Sequence, residues 1–364
     1  MEKDIAKRPK GFKIFILILL LLIVFFSNED IRLKFEDLIR KIGGNSKTLV
    51  LKDSFPIKIN TENMKLYENM LIRWEEGSII AVRTDGNKGW EKKSDFQEPL
   101  VSFGKNNIYF SEGSTGDIYY LSKEGKSIKR VEMKSQISRM FEKNNTLIIV
   151  QNNDVGGKLS ILDGNGKLIA SSIFEGGYFL DLNVDDKKTK YDVSTLNLDE
   201  DNMSSTLVLY EMNGKEINRY KFNDEILIFT QFVNNDSLIL LTDSKIYFLK
   251  SNSIIWEKGM NKIKNIYVQD KNIYLLYDDT LEIINFEGKT EEKISLKEEY
   301  NKIIFFNDKY FLLFGDTYIS GFSKEGKEVL KYKTDGEIKN VFANGKEVVV
   351  IFPEKIEIME ISNK

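Results

Sequence analysis

The sequence predicts an all-β fold: a β-propeller of about eight four-stranded blades, or alternatively seven, preceded by one N-terminal transmembrane helix. Three observations support this. Short β-rich runs recur with a period near forty residues, tight turns with glycine or asparagine fall at regular intervals, and one long apolar run stands near the N-terminus. With 41% hydrophobic and 12% aromatic residues, the 364-residue chain can bury a large core and is not intrinsically disordered.

The N-terminus has the pattern of a membrane anchor. An unbroken run of 13 apolar residues extends from Ile14 to Phe26, and the segment 11–27 reaches the short end of the length that spans a bilayer. Residues 1–13 carry five basic side chains against two acidic ones, a bias that holds this end in the cytoplasm. We therefore predict a cytoplasmic basic tail over residues 1–10 and a single-pass anchor that contacts the lipid bilayer through residues 11–27. The rest of the chain is then on the extracytoplasmic side of the cell membrane.

Two alternatives explain the apolar run less well. A signal peptide is cleaved after small residues, but this run ends in Phe25-Phe26-Ser27-Asn28 without an A-x-A pattern. A buried core helix would leave the adjacent basic tail without an explanation.

Residues 28–44 contain an amphipathic segment. Its apolar side chains recur at the spacing of one helical face, and the pair Gly43-Gly44 provides a stop. The apolar positions are Ile31, Phe35, Leu38, Ile39 and Ile42. We predict a juxtamembrane helix with three open roles: it lies on the membrane, docks onto the following domain, or continues the anchor as a spacer.

From residue 45 to residue 364 the chain repeats one short unit. Each copy contains β-rich runs separated by tight turns, as in DSLILLTDSKIYFLKSNSIIWEK, and the turn residues are 36 to 48 positions apart. They are Gly86, Gly125, Gly166, Gly214, Asn252, Gly288, Gly326 and Asn363. A period near forty built from strands predicts a β-propeller over residues 45–364, because a β-helix has a shorter period and a sandwich does not repeat so regularly. The predicted anchor makes this propeller extracytoplasmic. Runs such as Lys245–Leu249 fit strands that neighbouring blades cover on both faces.

The two ends of this domain predict how the ring closes. The last unit ends before a fourth strand can form, while residues 46–51 precede the first full unit and are β-prone. An early strand that completes the last blade would remove its open edge. Seven blades with a ragged end is the alternative.

Two of the turns carry a tryptophan four positions after the turn residue. Trp90 follows Gly86 in this way, and Trp256 follows Asn252. This spacing resembles the docking tryptophan of quinoprotein-like propeller repeats, whose pattern is D-x-x-T-G-x-x-x-W, and the repeats are WD40-like in the same architectural sense. The resemblance implies the propeller architecture and not the chemistry of the quinone enzymes.

The whole layout is similar to an uncharacterised Gram-positive family of membrane-anchored β-propellers, a domain of unknown function. The segment Tyr178–Lys188, followed by Ser205–Tyr210, resembles that family's D-x-S-x-D-G-K-K blade and departs from it at the serine and glycine positions. The resemblance implies a location and a fold, and attaches no activity to them.

The segment 185–202 is the densest group of acidic residues. It contains Asp185, Asp186, Asp192, Asp199, Glu200, Asp201 and Asn202. Oxygen ligands at this density are compatible with Ca²⁺, but the alternate-residue spacing and the glycine of a calcium loop are missing. We therefore predict a solvated surface loop, with a calcium site as the alternative. The similar run Asp163-Gly164-Asn165-Gly166 is explained by a hairpin turn.

Composition excludes several classes of site. The chain has no histidine and no cysteine, so it lacks the catalytic pairs of serine and cysteine hydrolases, the usual ligands of zinc and haem, and disulfides. We predict no catalytic, cofactor-binding or metal-ligating residue and no cofactor. Without residues 1–13 the chain holds 48 basic and 54 acidic residues, a net charge of −6 that gives no basis for binding nucleic acid.

These observations predict a non-catalytic protein-interaction platform in the cell envelope, with an unidentified envelope protein as its partner. A propeller presents a broad rigid surface, and degenerate repeats let each blade offer different side chains. The alternatives are an extracytoplasmic ligand or glycan sensor, which needs an aromatic-lined pocket near the centre of the ring, and a carboxylate-dependent enzyme.

Overall fold

Strands account for all regular secondary structure in the part of the chain that the computed structural model describes, residues 47–59, 61, 63–153, 156–199 and 202–363. None of these residues belongs to a helix long and apolar enough to cross a membrane. The predicted tail, anchor and juxtamembrane helix, residues 1–44, lie outside the described residues. The chain divides into two units, Leu49–Ile361 and Met1–Thr48 with Ser362–Lys364, and the described residues of the second unit are the ends of two strands.

The described strands are grouped into eight blades. Strand β1 (Lys47–Pro56) comes first in the chain. Blade 1 comprises β2 (Met64–Tyr67), β3 (Met70–Glu75), β4 (Ser78–Arg83) and β5 (Lys88–Lys93). Blade 2 comprises β6 (Pro99–Phe103), β7 (Ile108–Glu112), β8 (Asp117–Leu121) and β9 (Ser127–Glu132). Blade 3 comprises β10 (Arg139–Lys143), β11 (Thr146–Asn153), β12 (Gly156–Asp163) and β13 (Leu168–Glu175). Blade 4 comprises β14 (Tyr178–Val184), β15 (Lys190–Asp199), β16 (Asn202–Glu211) and β17 (Glu216–Asn223).

The second half of the ring follows the same plan. Blade 5 comprises β18 (Leu227–Asn234), β19 (Ser237–Thr242), β20 (Lys245–Lys250) and β21 (Ser253–Gly259). Blade 6 comprises β22 (Ile263–Gln269), β23 (Asn272–Tyr277), β24 (Thr280–Asn285) and β25 (Thr290–Ser295). Blade 7 comprises β26 (Lys302–Phe305), β27 (Tyr310–Phe314), β28 (Tyr318–Ser323) and β29 (Glu328–Lys333). Blade 8 comprises β30 (Asn340–Ala343), β31 (Glu347–Ile351), β32 (Lys355–Asn363) and, as its fourth strand, β1.

Burial follows the position of a strand in its blade, and we call the four strands A to D in order. A strands of neighbouring blades, such as β14 and β18, pack beside each other, so the A strands are innermost. Strands B and C are covered on both faces: every residue of β19 is buried, and β20 has four consecutive buried residues, as predicted for Lys245–Leu249. D strands such as β9 are mostly exposed. The core therefore consists of apolar clusters between successive blades.

The antiparallel order gives the propeller two distinct faces. Connections between strands A and B and between strands C and D lie at one face, which we call the AB/CD face. Connections between strands B and C, and from strand D to the next blade, lie at the opposite BC/DA face.

Blade 8 closes the ring as the sequence predicts. Strand β1 pairs with β32, and it continues beyond the expected residues 46–51 as far as Pro56. The pairing is antiparallel, since the Ile57 amide donates to the Glu354 carbonyl at 3.1 Å while Lys52 reaches Glu360 at 2.9 Å. Strand β1 also pairs with β29, so blades 7 and 8 form one eight-stranded sheet.

The expected eighth turn at Asn363 is wrong. Asn363 is the last residue of β32, because the fourth strand of blade 8 comes from the other end of the domain and needs no hairpin there. The other seven turn residues all lie between strands C and D, and all have positive φ, from 62° at Asn252 to 87° at Gly214. The left-handed conformation explains why these positions are glycine or asparagine.

The two docking tryptophans join successive blades. Trp90 of β5 donates from Nε1 to the Lys123 carbonyl of the next blade at 2.8 Å, and Trp256 of β21 donates to the Phe286 carbonyl at 3.0 Å. Each ring lies on the glycine of the next C–D turn: a Cβ added to Gly125 would lie 2.6 Å from the Trp90 ring. The resemblance to docking tryptophans is confirmed in geometry.

The predicted surface loop over residues 185–202 is wrong. Residues 185–189 form a short A–B turn, and β15 and β16 continue the segment as a hairpin of two ten-residue strands. Apolar residues alternate with the acidic ones, and Tyr191 and Val193 are buried, so the strand pattern outweighs the acidic composition. The extra length of the fourth unit is a longer hairpin.

Candidate interaction surface and inner pocket

The two faces of the propeller differ in charge. Among the described residues, the connections of the BC/DA face hold five lysines and fourteen acidic residues, a net charge of −9. The acidic residues are Glu76, Asp95, Glu98, Asp224, Glu225, Asp243, Asp278, Asp279, Glu298, Glu299, Asp316, Asp335, Glu337 and Glu354. The described connections of the AB/CD face hold thirteen lysines and ten acidic residues, a net charge of +3. The mildly acidic total therefore conceals one strongly acidic face.

Side chains on the acidic face are held by local hydrogen bonds. The Asp243 carboxylate accepts from the Ile226 amide at 3.0 Å, and the Glu225 carboxylate accepts from Tyr247 at 2.8 Å and from Thr242 at 2.6 Å. Lys245 lies 3.4 Å from Glu225. These bonds fix the position of the loop that links blade 4 to blade 5.

An inner pocket of about 430 Å³ lies at the AB/CD end of the A strands of blades 4, 5 and 6. Three aromatic rings line it, those of Phe229, Phe232 and Phe286. Its polar wall includes Asn183 and Thr230, both buried. Six of the residues that line the pocket are apolar and nine are polar or charged, so the pocket is more polar than most small-molecule sites.

Behind that polar wall lies a buried carboxyl group. Asp192 is fully buried, and its Oδ1 accepts from Thr230 Oγ1 at 3.0 Å. The amide of Asn183, which pairs with Asp192 across β14 and β15, donates to the same threonine oxygen. The Oδ2 atom of Asp192 is buried with no hydrogen-bond partner among the described residues.

The environment of Asp192 favours its neutral form. Burial and then the nearby carboxylate of Asp181 raise the pKa of Asp192 to about 8. Lys143 donates to Asp181 at 3.1 Å and therefore lies nearer that second carboxylate. A charged group with an unpaired oxygen at this depth is costly, so Asp192 carries a proton at neutral pH.

A second buried acid behaves in the opposite way. Glu282, 1% exposed, accepts from Thr290 at 2.6 Å, from Tyr277 at 2.9 Å and from Lys258. Burial raises the pKa of Glu282, but these three donors outweigh burial and hold the pKa below its ordinary value. Glu282 is therefore a satisfied structural carboxylate, whereas Asp192 is not satisfied.

The acidic residues predicted from the sequence do not converge on one site. Asp185 is buried and caps its own turn, accepting from the Thr189 amide at 2.6 Å and the Lys190 amide at 2.8 Å. Asp186 is exposed and lines the inner pocket, and the side chains of residues 199–202 lie outside the described set. Within the part of the chain that the structure describes, no three acidic side chains are grouped to hold a metal ion.

Two features of the site escaped the sequence prediction. The sequence analysis assigns Asp192 to a surface loop over residues 185–202. Its position between Tyr191 and Val193 is instead typical of a buried strand. The charge difference between the faces was available as a signal, because acidic residues concentrate at alternate connections of the repeat.

Solved structures with the same architecture are distant in sequence. BamB from Moraxella catarrhalis is similar over 86% of this chain and 99% of its own, with 11% identity and a TM-score of 0.56. Sqt1 from Saccharomyces cerevisiae is similar over 88% of this chain and 100% of its own, with 11% identity and a TM-score of 0.57. At this identity the likeness shows the propeller fold alone.

No curated protein sequence matches the chain. A family profile matches residues 47–361, which is the whole propeller and most of the chain. The chain belongs to the family of unknown function DUF5711.

Proposed function

We propose that this protein is a membrane-anchored, extracytoplasmic β-propeller that acts as a non-catalytic interaction platform for a protein of the cell envelope. The observation that carries the proposal is the acidic BC/DA face, where fourteen acidic residues stand against five lysines on the described connections. Such a face steers a partner of opposite charge and rejects partners of like charge. The anchor rests on the apolar run Ile14–Phe26 and on the basic residues that precede it.

The buried carboxyl groups support a non-catalytic role. Asp192 has no solvent exposure, and Glu282 is engaged by three donors. A catalytic acid or base needs a reachable position beside its substrate, which neither group has.

Photo-crosslinking in intact cells tests the platform. A benzophenone amino acid replaces Glu299 or Asp335, which are exposed on the BC/DA face, or Asn106 or Asn165, which are exposed on the AB/CD face. We expect one discrete protein adduct from the first pair and none from the second. If neither pair gives a protein adduct, the platform proposal is wrong.

A second candidate function is that of a ligand sensor, which the inner pocket favours. Its three phenylalanine rings and polar wall provide the aromatic-lined site near the centre of the ring that a sensor requires. A ligand that raises the melting temperature of the wild type, and fails to do so after Phe232→Ala, would establish this function.

A further inference from the structure

An exposed apolar surface projects from blade 4. The strands β15 and β16 each contain ten residues, whereas the corresponding strands of blade 5, β19 and β20, contain six. At about 3.3 Å per residue, the blade 4 hairpin is longer by about 13 Å. The pairing of β15 with the inner strand β14 ends where Leu196 is opposite Tyr178. The residues of β15 that follow Leu196 therefore extend past the inner strand at the BC/DA face.

Strand register places the apolar residues of this hairpin on one side. Tyr178 is opposite Leu196, and Leu198 is opposite Met203, so these four side chains share a face of the sheet. Leu196 is opposite Ser205, and Ser205 is opposite Phe222, so Leu196 and Phe222 lie on the same face of the sheet.

That side of the sheet is the one that packs on blade 5. Phe222 lies in the apolar cluster that includes Leu227 and Leu238 of blade 5. Nearer the tip, blade 5 no longer covers the sheet, and Tyr178 is 66% exposed while Leu198 is 57% exposed. We call Tyr178, Leu196, Leu198 and Met203 the overhang patch.

The connections beside the overhang patch are acidic. Asp224 and Glu225 link blade 4 to β18, and the Asp224 amide donates to the Met203 carbonyl at 2.9 Å. Asp243 bonds to the Ile226 backbone in the same loop. An apolar centre with a charged surround is the composition of a protein-binding surface.

Charge decides between the occupants of such a patch. An anionic lipid surface would place negative charge against the acidic face, and a second copy of this chain docked through the same face would do so too. Neither is favoured. A segment with large apolar side chains between lysines or arginines matches both the patch and its surround.

We propose that the overhang patch docks a segment of a separate envelope protein that carries large apolar side chains flanked by lysine or arginine. This deepens the proposed platform function and rests on it, since it names the surface and the chemistry of the partner. Tyr178 and Leu198 contact the large apolar side chains of that segment, and Asp224 faces its lysines or arginines.

The test uses the full chain in intact cells, with a benzophenone amino acid in place of Tyr178. We expect a protein adduct whose cross-linked segment, read by peptide mass spectrometry, contains large apolar residues and at least two lysines or arginines. Leu198→Ser lowers the adduct yield about tenfold, as the loss of one buried leucine contact implies. Asp224→Asn, which keeps a residue that tolerates the positive φ of 57° at this position, lowers the yield about threefold.

Matched variants separate specific loss from general damage. Ile255→Ser removes an apolar side chain of similar exposure, 55%, from the outer strand β21, and Asp308→Asn removes an exposed acidic charge from the opposite AB/CD face. Both should leave the yield unchanged, and all four variants should resist trypsin like the wild type.

Each other result overturns the proposal. A self-adduct would assign the patch to a dimer, a lipid adduct would assign it to the membrane, and an acidic or polar cross-linked segment would contradict the charge argument. If benzophenone at Glu299 gives a protein adduct while benzophenone at Tyr178 gives none, the platform stands and the overhang patch is not its docking site.

Discussion

The buried carboxyl group of Asp192 should make the stability of the fold depend on pH. Its pKa is raised to about 8 in the folded state, chiefly by burial, against about 3.9 in an unfolded chain. Its contribution to stability is therefore fully present below about pH 3.9 and is lost as the pH rises towards 8. The groups that face it are Asp181 and Asn183 from β14 and Thr230 from β18, with Lys143 held by Asp181.

The magnitude follows from the linkage between proton binding and folding. Each pH unit between the two pKa values changes the free energy of unfolding by about 1.4 kcal/mol, so the interval from pH 5 to pH 8 amounts to about 4 kcal/mol. Asparagine has the shape of the protonated acid and does not titrate. The Asp192→Asn variant therefore lacks this slope and gains stability relative to the wild type as the pH rises.

Urea unfolding of the full chain in detergent, followed by tryptophan fluorescence at pH 5, 6, 7 and 8, measures the effect. Other titrating groups are common to both proteins, so the difference between wild type and Asp192→Asn isolates this carboxyl group. Asp186→Asn, at an exposed position in the neighbouring turn, is the control: it keeps Asp192 and should keep the pH dependence of the wild type. A difference that stays constant within about 1 kcal/mol from pH 5 to pH 8 would refute the argument that burial keeps Asp192 protonated.

Three further predictions concern the fold and its location. Deleting residues 47–56 removes the fourth strand of blade 8 and opens a sheet edge, so the variant should lose its cooperative melting transition; a melting temperature near that of the wild type would contradict ring closure. Gly125→Ala should lower the free energy of unfolding by about 1–3 kcal/mol through overlap with a tryptophan ring, and by more than Gly214→Ala, where the nearest atom is 3.7 Å away. A membrane-impermeant maleimide should label Ser46→Cys but not Lys7→Cys on intact cells, and the reverse pattern would contradict the proposed topology.

The repeat and its turns could be predicted from the amino-acid sequence alone. A C–D turn such as the one at Gly125 needs a residue with positive φ, and this local requirement leaves a visible mark every forty residues or so. Ring closure was also within reach, because an incomplete last unit and a spare first strand are both features of the sequence.

The same reasoning failed where neighbours along the chain gave the wrong context. Asp192 and Asp185 were predicted to lie in a solvated loop because acidic residues surround them. In the structure Asp192 is buried within a continuous pair of strands, and Asp185 accepts hydrogen bonds from the amides of its own turn. The forty-residue period predicted a turn at Asn363. No hairpin is needed there, because β1, from the other end of the domain, supplies the fourth strand of the blade.

Which apolar residues lose their cover became clear only from the packing of the blades against each other. The overhang patch exists because β15 and β16 of blade 4 are longer than the strands of blade 5 that would cover them. The exposure of the patch depends on this difference in length between two neighbouring blades. In the same way, Lys52 of β1 donates a hydrogen bond to Glu347, a residue 295 positions further along the sequence. Turn preference acts through a residue's own backbone, whereas burial depends on what the rest of the chain places beside it. For that reason the turns could be predicted from the sequence and the exposed apolar patch could not.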